Sequence, residues 1–151
     1  ISVTGLLTEP VLVDVSPEQP CPNPAINYLE TKKKVVVAIL GTKEFDPTRI
    51  DPTTVRVNGV APLGWNIRDA ARPAGTPTLG NDFSVPCKTG TDGRKDLVLA
   101  FESRAVAAAS FDVVNPTRPA LLRVTGKTKP EFGLHAFAGE DVAVVRNVPL
   151  Q

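Results

Sequence analysis

The alternation of apolar and polar positions predicts strands at the start of the chain. Val11, Val13 and Val15 fall on one face of an extended segment, while the residues between them fall on the other. Residues 1–8 alternate more weakly and predict a second short strand before it.

Longer apolar runs predict strands that are buried on both faces. Val35–Leu40 is an unbroken apolar run, and Asp96–Glu102 has apolar residues on both of its faces. Three further segments carry the strand pattern: Thr54–Val57, Leu121–Thr125 and Asp141–Arg146.

The connecting segments contain turn signals and one short helix. Asn58-Gly59 is typical of a two-residue hairpin turn. Phe45 and Ile50 are expected to fill the core from the loop that follows the first long strand. Arg104–Ser110, which is rich in alanine, predicts a helix of at most two turns.

Composition narrows the fold class to an all-β protein. The chain has 15 prolines in 151 residues, and proline in the interior of a helix breaks it. The spacing of strands and turns predicts an antiparallel, immunoglobulin-like β-sandwich of seven to eight strands with long loops rich in proline and glycine. Residues 1–10 are expected to form an N-terminal strand or extension, and residues 11–151 a single domain.

The charge balance argues against a nucleic-acid partner, and the length of the apolar runs argues against a membrane span. Lys and Arg number 17 against 16 Asp and Glu, whereas nucleic-acid binders usually show a basic excess. No apolar run approaches the roughly 20 residues of a membrane helix. The chain contains no methionine, so we expect a mature product whose signal sequence has been removed.

Several segments together resemble a β-sandwich module found in secreted and surface-anchored proteins of bacteria and archaea. Members of that family carry the strings I-D-I-K-P-G, P-N-x-I-N, V-x-V-A-I-L-G, F-D-x-x-x-I-D-P-x-T-V and D-G-x-x-D-L-V-L-x-F. The matching segments here are Val13–Pro17, Pro22–Asn27, Val35–Gly41, Phe45–Val55 and Asp92–Phe101, and a final L-T-G-x-T and F-x-G-x-D segment of the family resembles Val124–Thr128 and Phe137–Asp141. The resemblance covers residues 11–147 and implies an extracellular module with a structural or adhesive role.

The segment around Asp92 is similar to a calcium loop that has lost ligands. Calcium requires six to eight oxygens, and such loops present acidic side chains at alternate positions. Lys88 and Gly90 stand at the first and third acidic positions of the family's loop, so Asp92 and Asp96 are the remaining candidate ligands. We therefore expect a metal-free turn, with calcium as the alternative and no other cofactor.

Cys21 and Cys87 are the only two cysteines, and each lies in a loop flanked by proline. Two cysteines in a processed extracellular chain are more often paired than free. The sequence therefore predicts an intramolecular disulfide between them, with free thiols or a link to another chain as the alternatives.

Nothing in the sequence marks an enzyme. His135 is the only histidine, so neither a zinc site nor a histidine-based triad has its usual complement of residues. The carboxylates stand in no context that indicates a catalytic pair. We predict that the protein has no catalytic activity.

Trp65, the only tryptophan, is the candidate ligand-binding residue. An exposed aromatic ring can cover the apolar face of a sugar, which predicts a carbohydrate-binding accessory module and a polysaccharide partner. The alternative is that Trp65 fills the core or the space between two sheets.

The first residues suggest a route to self-assembly. Ile1, Val3, Leu6 and Leu7 are apolar, and a strand of this kind can add to the open sheet edge of a neighbouring molecule. Head-to-tail donation would build a filament. The principal hypothesis is therefore a non-catalytic structural protein of the cell exterior that associates with itself or with other cell-surface proteins.

Overall fold

The computed structural model describes residues 8–15, 28–30, 34–70, 92–110, 120–133 and 135–146. They form nine strands and one short helix: β1 Thr8–Pro10, β2 Val13–Val15, β3 Tyr28–Glu30, β4 Lys34–Ile39, β5 Ile50–Val57, β6 Gly64–Arg68, β7 Asp96–Glu102, α1 Ser103–Ser110, β8 Ala120–Thr128 and β9 Ala136–Arg146. Short 3-10 turns occur at Pro47–Arg49 and Pro130–Phe132. None of the helices in this part of the chain is long and apolar enough to cross a membrane.

The strands form two sheets, which confirms the predicted all-β sandwich. The first sheet has the order β1-β9-β8-β5, and β3 also pairs with β9. The second sheet has the order β2-β4-β7-β6. The pairs within each sheet are antiparallel except for β1 and β3, which both run parallel to β9. The immunoglobulin-like form of the sandwich stays a prediction.

The core lies between the sheets and contains the residues that alternation placed there. Its buried members are Val11, Val13, Val15, Val35, Val37, Ile39, Phe45, Ile50, Val55, Val57, Leu97, Leu99, Phe101, Val106, Leu122, Val124 and Phe137. A smaller cluster of Ala38, Leu40 and Val98 is buried on the outer face of the second sheet. The prediction that β4 and β7 are covered on both faces is thus confirmed, because these two central strands contribute to both clusters.

The first described segment passes from one sheet to the other. Thr8–Pro10 pairs with β9, and the Val11 N–H still donates to the Ala138 carbonyl at 3.0 Å. Val13–Val15 then pairs with β4 in the second sheet. This segment therefore ties the two sheets together at one side of the sandwich.

The Asn58-Gly59 turn forms as predicted. Both residues have positive φ, 48° and 89°, as a two-residue hairpin turn requires, and Val57 and Val60 exchange backbone hydrogen bonds across it. The pairing of β5 with the residues after the turn ends at Val60, because the next strand, β6, pairs with β7 in the other sheet.

Candidate functional site

Strand β6 and the residue directly before it present three large apolar side chains to solvent. Leu63 directly precedes the strand, and Trp65 and Ile67 follow at alternate positions, so all three point to the same face. They are 58%, 47% and 41% exposed, respectively. We call these three residues the β6 stripe.

The exposure of Trp65 bears on its two predicted roles. Its backbone pairs with that of Leu99 in β7, so it points to the same side of the sheet as the buried core residues. Yet 47% of its surface is accessible, and it is therefore not a core plug. Its position is compatible with a contact to another molecule.

The β6 stripe lies at the edge of its sheet. Among the described strands, β6 pairs only with β7. An edge strand has backbone groups available to a further strand, and exposed apolar side chains favour such an addition. The surface combines the two properties that strand addition uses.

The two aspartates of the degenerate calcium loop have different environments. Asp96 is fully buried, and its two carboxylate oxygens accept from the Gly41 and Ala70 N–H groups, each at 2.8 Å. Asp92 is only partly buried, and its carboxylate accepts from the Arg94 N–H at 3.0 Å. Both carboxylates are thus engaged in holding the local backbone.

Asp69 adds a third carboxylate to this loop, which sequence reasoning missed. Its oxygens accept from the N–H groups of Gly93 at 2.7 Å and of Asp92 at 3.4 Å. Backbone N–H groups thus occupy oxygens that a cation would need. Within the described ranges, no group of three histidine, cysteine or acidic side chains could hold a metal ion.

Two more aspartates lie at or near β2: Asp141, which is buried, and Asp14, which is partly buried. Asp141 of β9 accepts from the Val15 N–H at 2.8 Å and links the two sheets. Asp14 faces the outer side of the second sheet, opposite to the buried Val13 and Val15. Burial and, to a smaller extent, the nearby charge of Asp96 together raise the pKa of Asp14 to about 6.

His135 lies in an exposed cleft of about 260 Å³ with Glu44, Asp46, Arg49 and Phe132. The Arg49 guanidinium stands 5.2 Å above the centre of the Phe132 ring and 4.0 Å from the Asp46 carboxylate. The backbone N–H of His135 donates to Thr128 Oγ1 at 3.0 Å. The arginine therefore has partners for its charge within the cleft, and His135 is anchored through its backbone.

Several predicted residues lie outside the described part of the chain. These are Cys21 and Cys87 of the expected disulfide, and Ile1, Val3, Leu6 and Leu7 of the expected assembly strand. Their roles stay predictions. The described part of the chain begins directly after these N-terminal residues, at Thr8 of β1.

Comparison with protein-family models, with curated proteins and with solved structures found no match for the chain. The resemblance to the secreted β-sandwich module therefore stays a prediction, and a function has to be argued from the surface of this molecule.

Proposed function

We propose that this chain is a non-catalytic, extracellular structural protein that works by binding other protein surfaces, including copies of itself. The observation that carries the proposal is the β6 stripe, in which three large apolar side chains stand exposed along one edge strand. A contiguous apolar patch on a soluble domain usually marks an interaction site. The near-neutral net charge of +1 imposes little repulsion between copies.

The form of association that we propose is donation of the N-terminal strand. Residues 1–7 carry no charged side chain and four large apolar ones, Ile1, Val3, Leu6 and Leu7. Such a segment can extend the sheet of a neighbour, and repetition of the contact produces a filament.

Sedimentation velocity and negative-stain electron microscopy of the full chain test this proposal. We expect concentration-dependent oligomers or fibres, and we expect a chain without residues 1–7 to sediment as a monomer. Far-UV circular dichroism controls for folding of the shortened chain. Unchanged assembly after the deletion would exclude strand donation.

A second candidate function is carbohydrate binding, and the exposure of Trp65 is the observation that favours it. Its ring lies exposed on an extended strand, where it can cover the apolar face of a sugar. Because Trp65 is the only tryptophan, its fluorescence would change when a polysaccharide binds. Affinity electrophoresis in gels containing soluble polysaccharides, with Trp65→Ala as the comparison, would show no retardation of either protein if this function is absent.

The extracellular location that we propose predicts that the two cysteines form a disulfide. A Cys21–Cys87 disulfide closes a long loop and would stabilise the domain by roughly 4 kcal/mol in the chain-entropy model. We expect neither thiol to react with iodoacetamide in unfolded protein that has not been reduced. Mass spectrometry would contradict the disulfide if it found two alkylated cysteines under that condition.

A further inference from the structure

We propose that the β6 edge of one copy is the acceptor for residues 1–7 of the next copy. This inference rests on the proposed self-association and names the surface that receives the donated strand. Four properties of the molecule lead to it: the protection of the other edges, the spacing of apolar residues, the absence of charge, and the distance between donor and acceptor.

The β5 edge is protected against an added strand. It contains Pro52, and its register with β8 shifts between Asp51 and Arg56. Arg56 Nη1 also donates to two carbonyls of its own strand, those of Thr53 at 2.9 Å and Val55 at 2.7 Å. Proline, a break in register and a charged side chain are the devices that commonly prevent edge pairing.

The β6 edge lacks the first two of these devices. Its register with β7 is continuous from Gly64 to Arg68, and the strand contains no proline. The other described edge strands, β1, β2 and β3, have only three residues each, which limits what they can pair with. Among the described edges, β6 therefore offers the longest regular ladder without proline.

The donor and the acceptor have matching patterns. In an extended segment, Ile1, Val3 and Leu7 point to one face, at the same two-residue period as the β6 stripe. Pairing would place the apolar face of residues 1–7 beside the β6 stripe, so that the two form one apolar surface. Neither residues 1–7 nor Gly64–Ile67 carry a charge, so the contact desolvates no charged side chain there.

The position of the two segments makes the contact intermolecular. Residues 1–7 lead into β1, which lies at one side of the sandwich, and β6 lies at the opposite side of the other sheet. Crossing three strand spacings of about 4.8 Å and a sheet separation of about 10 Å requires roughly 17 Å. Seven extended residues span about 23 Å, which leaves too little chain to pair along the five residues of the molecule's own β6.

Four point variants of the full chain test the assignment. Val3→Asp charges the apolar face of the donor, and Ser2→Asp places the same charge on its other face as a matched control. Ile67→Lys charges the β6 stripe. Leu121→Lys is its control, because Leu121 is also a large apolar side chain that is exposed (36%) but lies on β8 in the first sheet.

We expect Val3→Asp and Ile67→Lys each to be monomeric in sedimentation velocity, while both controls assemble like the wild type. A mixture of the two monomeric variants should form a one-to-one complex that does not grow, because one retains only the donor and the other only the acceptor. Circular dichroism establishes that each variant is folded.

The fluorescence of Trp65 provides a readout at the acceptor itself. A peptide of residues 1–7 added to Val3→Asp protein should shift the emission of this single tryptophan to the blue in a saturable way. We expect binding of the peptide to Ile67→Lys to be at least tenfold weaker, and a scrambled peptide to have no effect.

The outcomes separate this inference from the function on which it rests. If Ile67→Lys assembles like the wild type while Val3→Asp does not, strand donation stands and the acceptor is elsewhere. If Val3→Asp assembles and Ile67→Lys does not, β6 pairs with something other than residues 1–7, such as the β6 of another copy. A wild-type chain that is monomeric at every concentration overturns the proposed self-association and this inference with it.

Discussion

At the scale of single residues, three aspartates of the sandwich have different environments. Asp96 and Asp141 each accept hydrogen bonds from backbone N–H groups of other segments, at 2.8 Å in every case. Asp14 differs, because burial and the charge of Asp96 raise its pKa to about 6.

The raised pKa of Asp14 predicts that the contribution of this residue to the free energy of unfolding decreases as the pH rises from about 4 to about 6. In that interval the folded state holds a proton on Asp14 that the unfolded state, with a pKa of 3.8, has released. We expect Asp14→Asn to increase the free energy of unfolding at pH 7 by up to about 3 kcal/mol, and to have little effect at pH 4. Urea unfolding at both pH values measures this, and an equal effect at both would contradict it.

Replacement of Asp96 is expected to be far more damaging than replacement of Asp92. Asp96→Ala leaves the buried Gly41 N–H and the partly buried Ala70 N–H without their acceptor, at about 1–3 kcal/mol for the buried one and less for the other. Asp92→Ala removes an exposed bond and should cost less than about 1 kcal/mol. Urea unfolding measures the free energy of unfolding of both variants. Similar losses would show that the hydrogen bonds of Asp96 do not account for a larger contribution to stability.

Calcium offers an independent check of the same loop. If the three aspartates serve the backbone, adding calcium or a chelator should leave the melting temperature of the wild type unchanged. A rise with calcium would show that the ion binds the folded state and stabilises it by mass action.

Sequence alone could not assign these residues. Asp92 and Asp96 look alike in the loop pattern, and their difference depends on Gly41 and Ala70, which the fold brings to Asp96 from other segments. The exposure of Trp65 was equally open, because it depends on how far the opposite sheet extends over β6.

At the scale of elements, strands with a dense apolar pattern were predicted well. β4, β7 and the helix α1 lie within one residue of their predicted bounds. β8 and β9 extend beyond the predicted segments, at both ends of β8 and at the start of β9. β6 was missed, since glycine, asparagine and arginine leave it only two apolar positions, and its pairing with β7 is what makes it a strand.

The passage of the first segment between the sheets depends on a glycine in β9. A Cβ atom at Gly139 would lie 2.5 Å from the Val11 carbonyl oxygen and 2.6 Å from a methyl group of Val13. We expect Gly139→Ala to lower the free energy of unfolding by about 1–3 kcal/mol, because the backbone must move to admit the methyl group. Gly64→Ala is the control, since a Cβ there meets nothing within 4 Å, and an equal loss in that variant would refute the steric explanation.

At the scale of the whole molecule, alternation and turn spacing were sufficient for the sandwich but not for its topology. The parallel pairing of β1 and β3 with β9 joins the two ends of the described chain. Contacts of such long sequence separation leave no local pattern, so no reading of short segments could have predicted them.

Self-association predicts that thermal stability depends on protein concentration. Binding between folded copies stabilises them by mass action, so we expect the melting temperature of the wild type to rise between micromolar and millimolar protein. The Ile67→Lys variant should show no such rise, whereas Leu121→Lys should behave like the wild type. Differential scanning calorimetry over this range would contradict the prediction if the wild-type melting temperature were constant.

The parallel pairing of β1 with β9 also determines how a filament of these subunits would respond to tension. In such a filament, force through residues 1–7 pulls Thr8–Pro10 along its own axis, and the opposing force enters through β6, the proposed acceptor edge, while β9 is held by the rest of the domain. The hydrogen bonds between the two strands are then loaded together in shear instead of being opened one after another. The continuation of this segment into the second sheet, where Val15 is held by Asp141, places both sheets under the same load. A chain of such domains would resist stretching at the joint where each subunit begins.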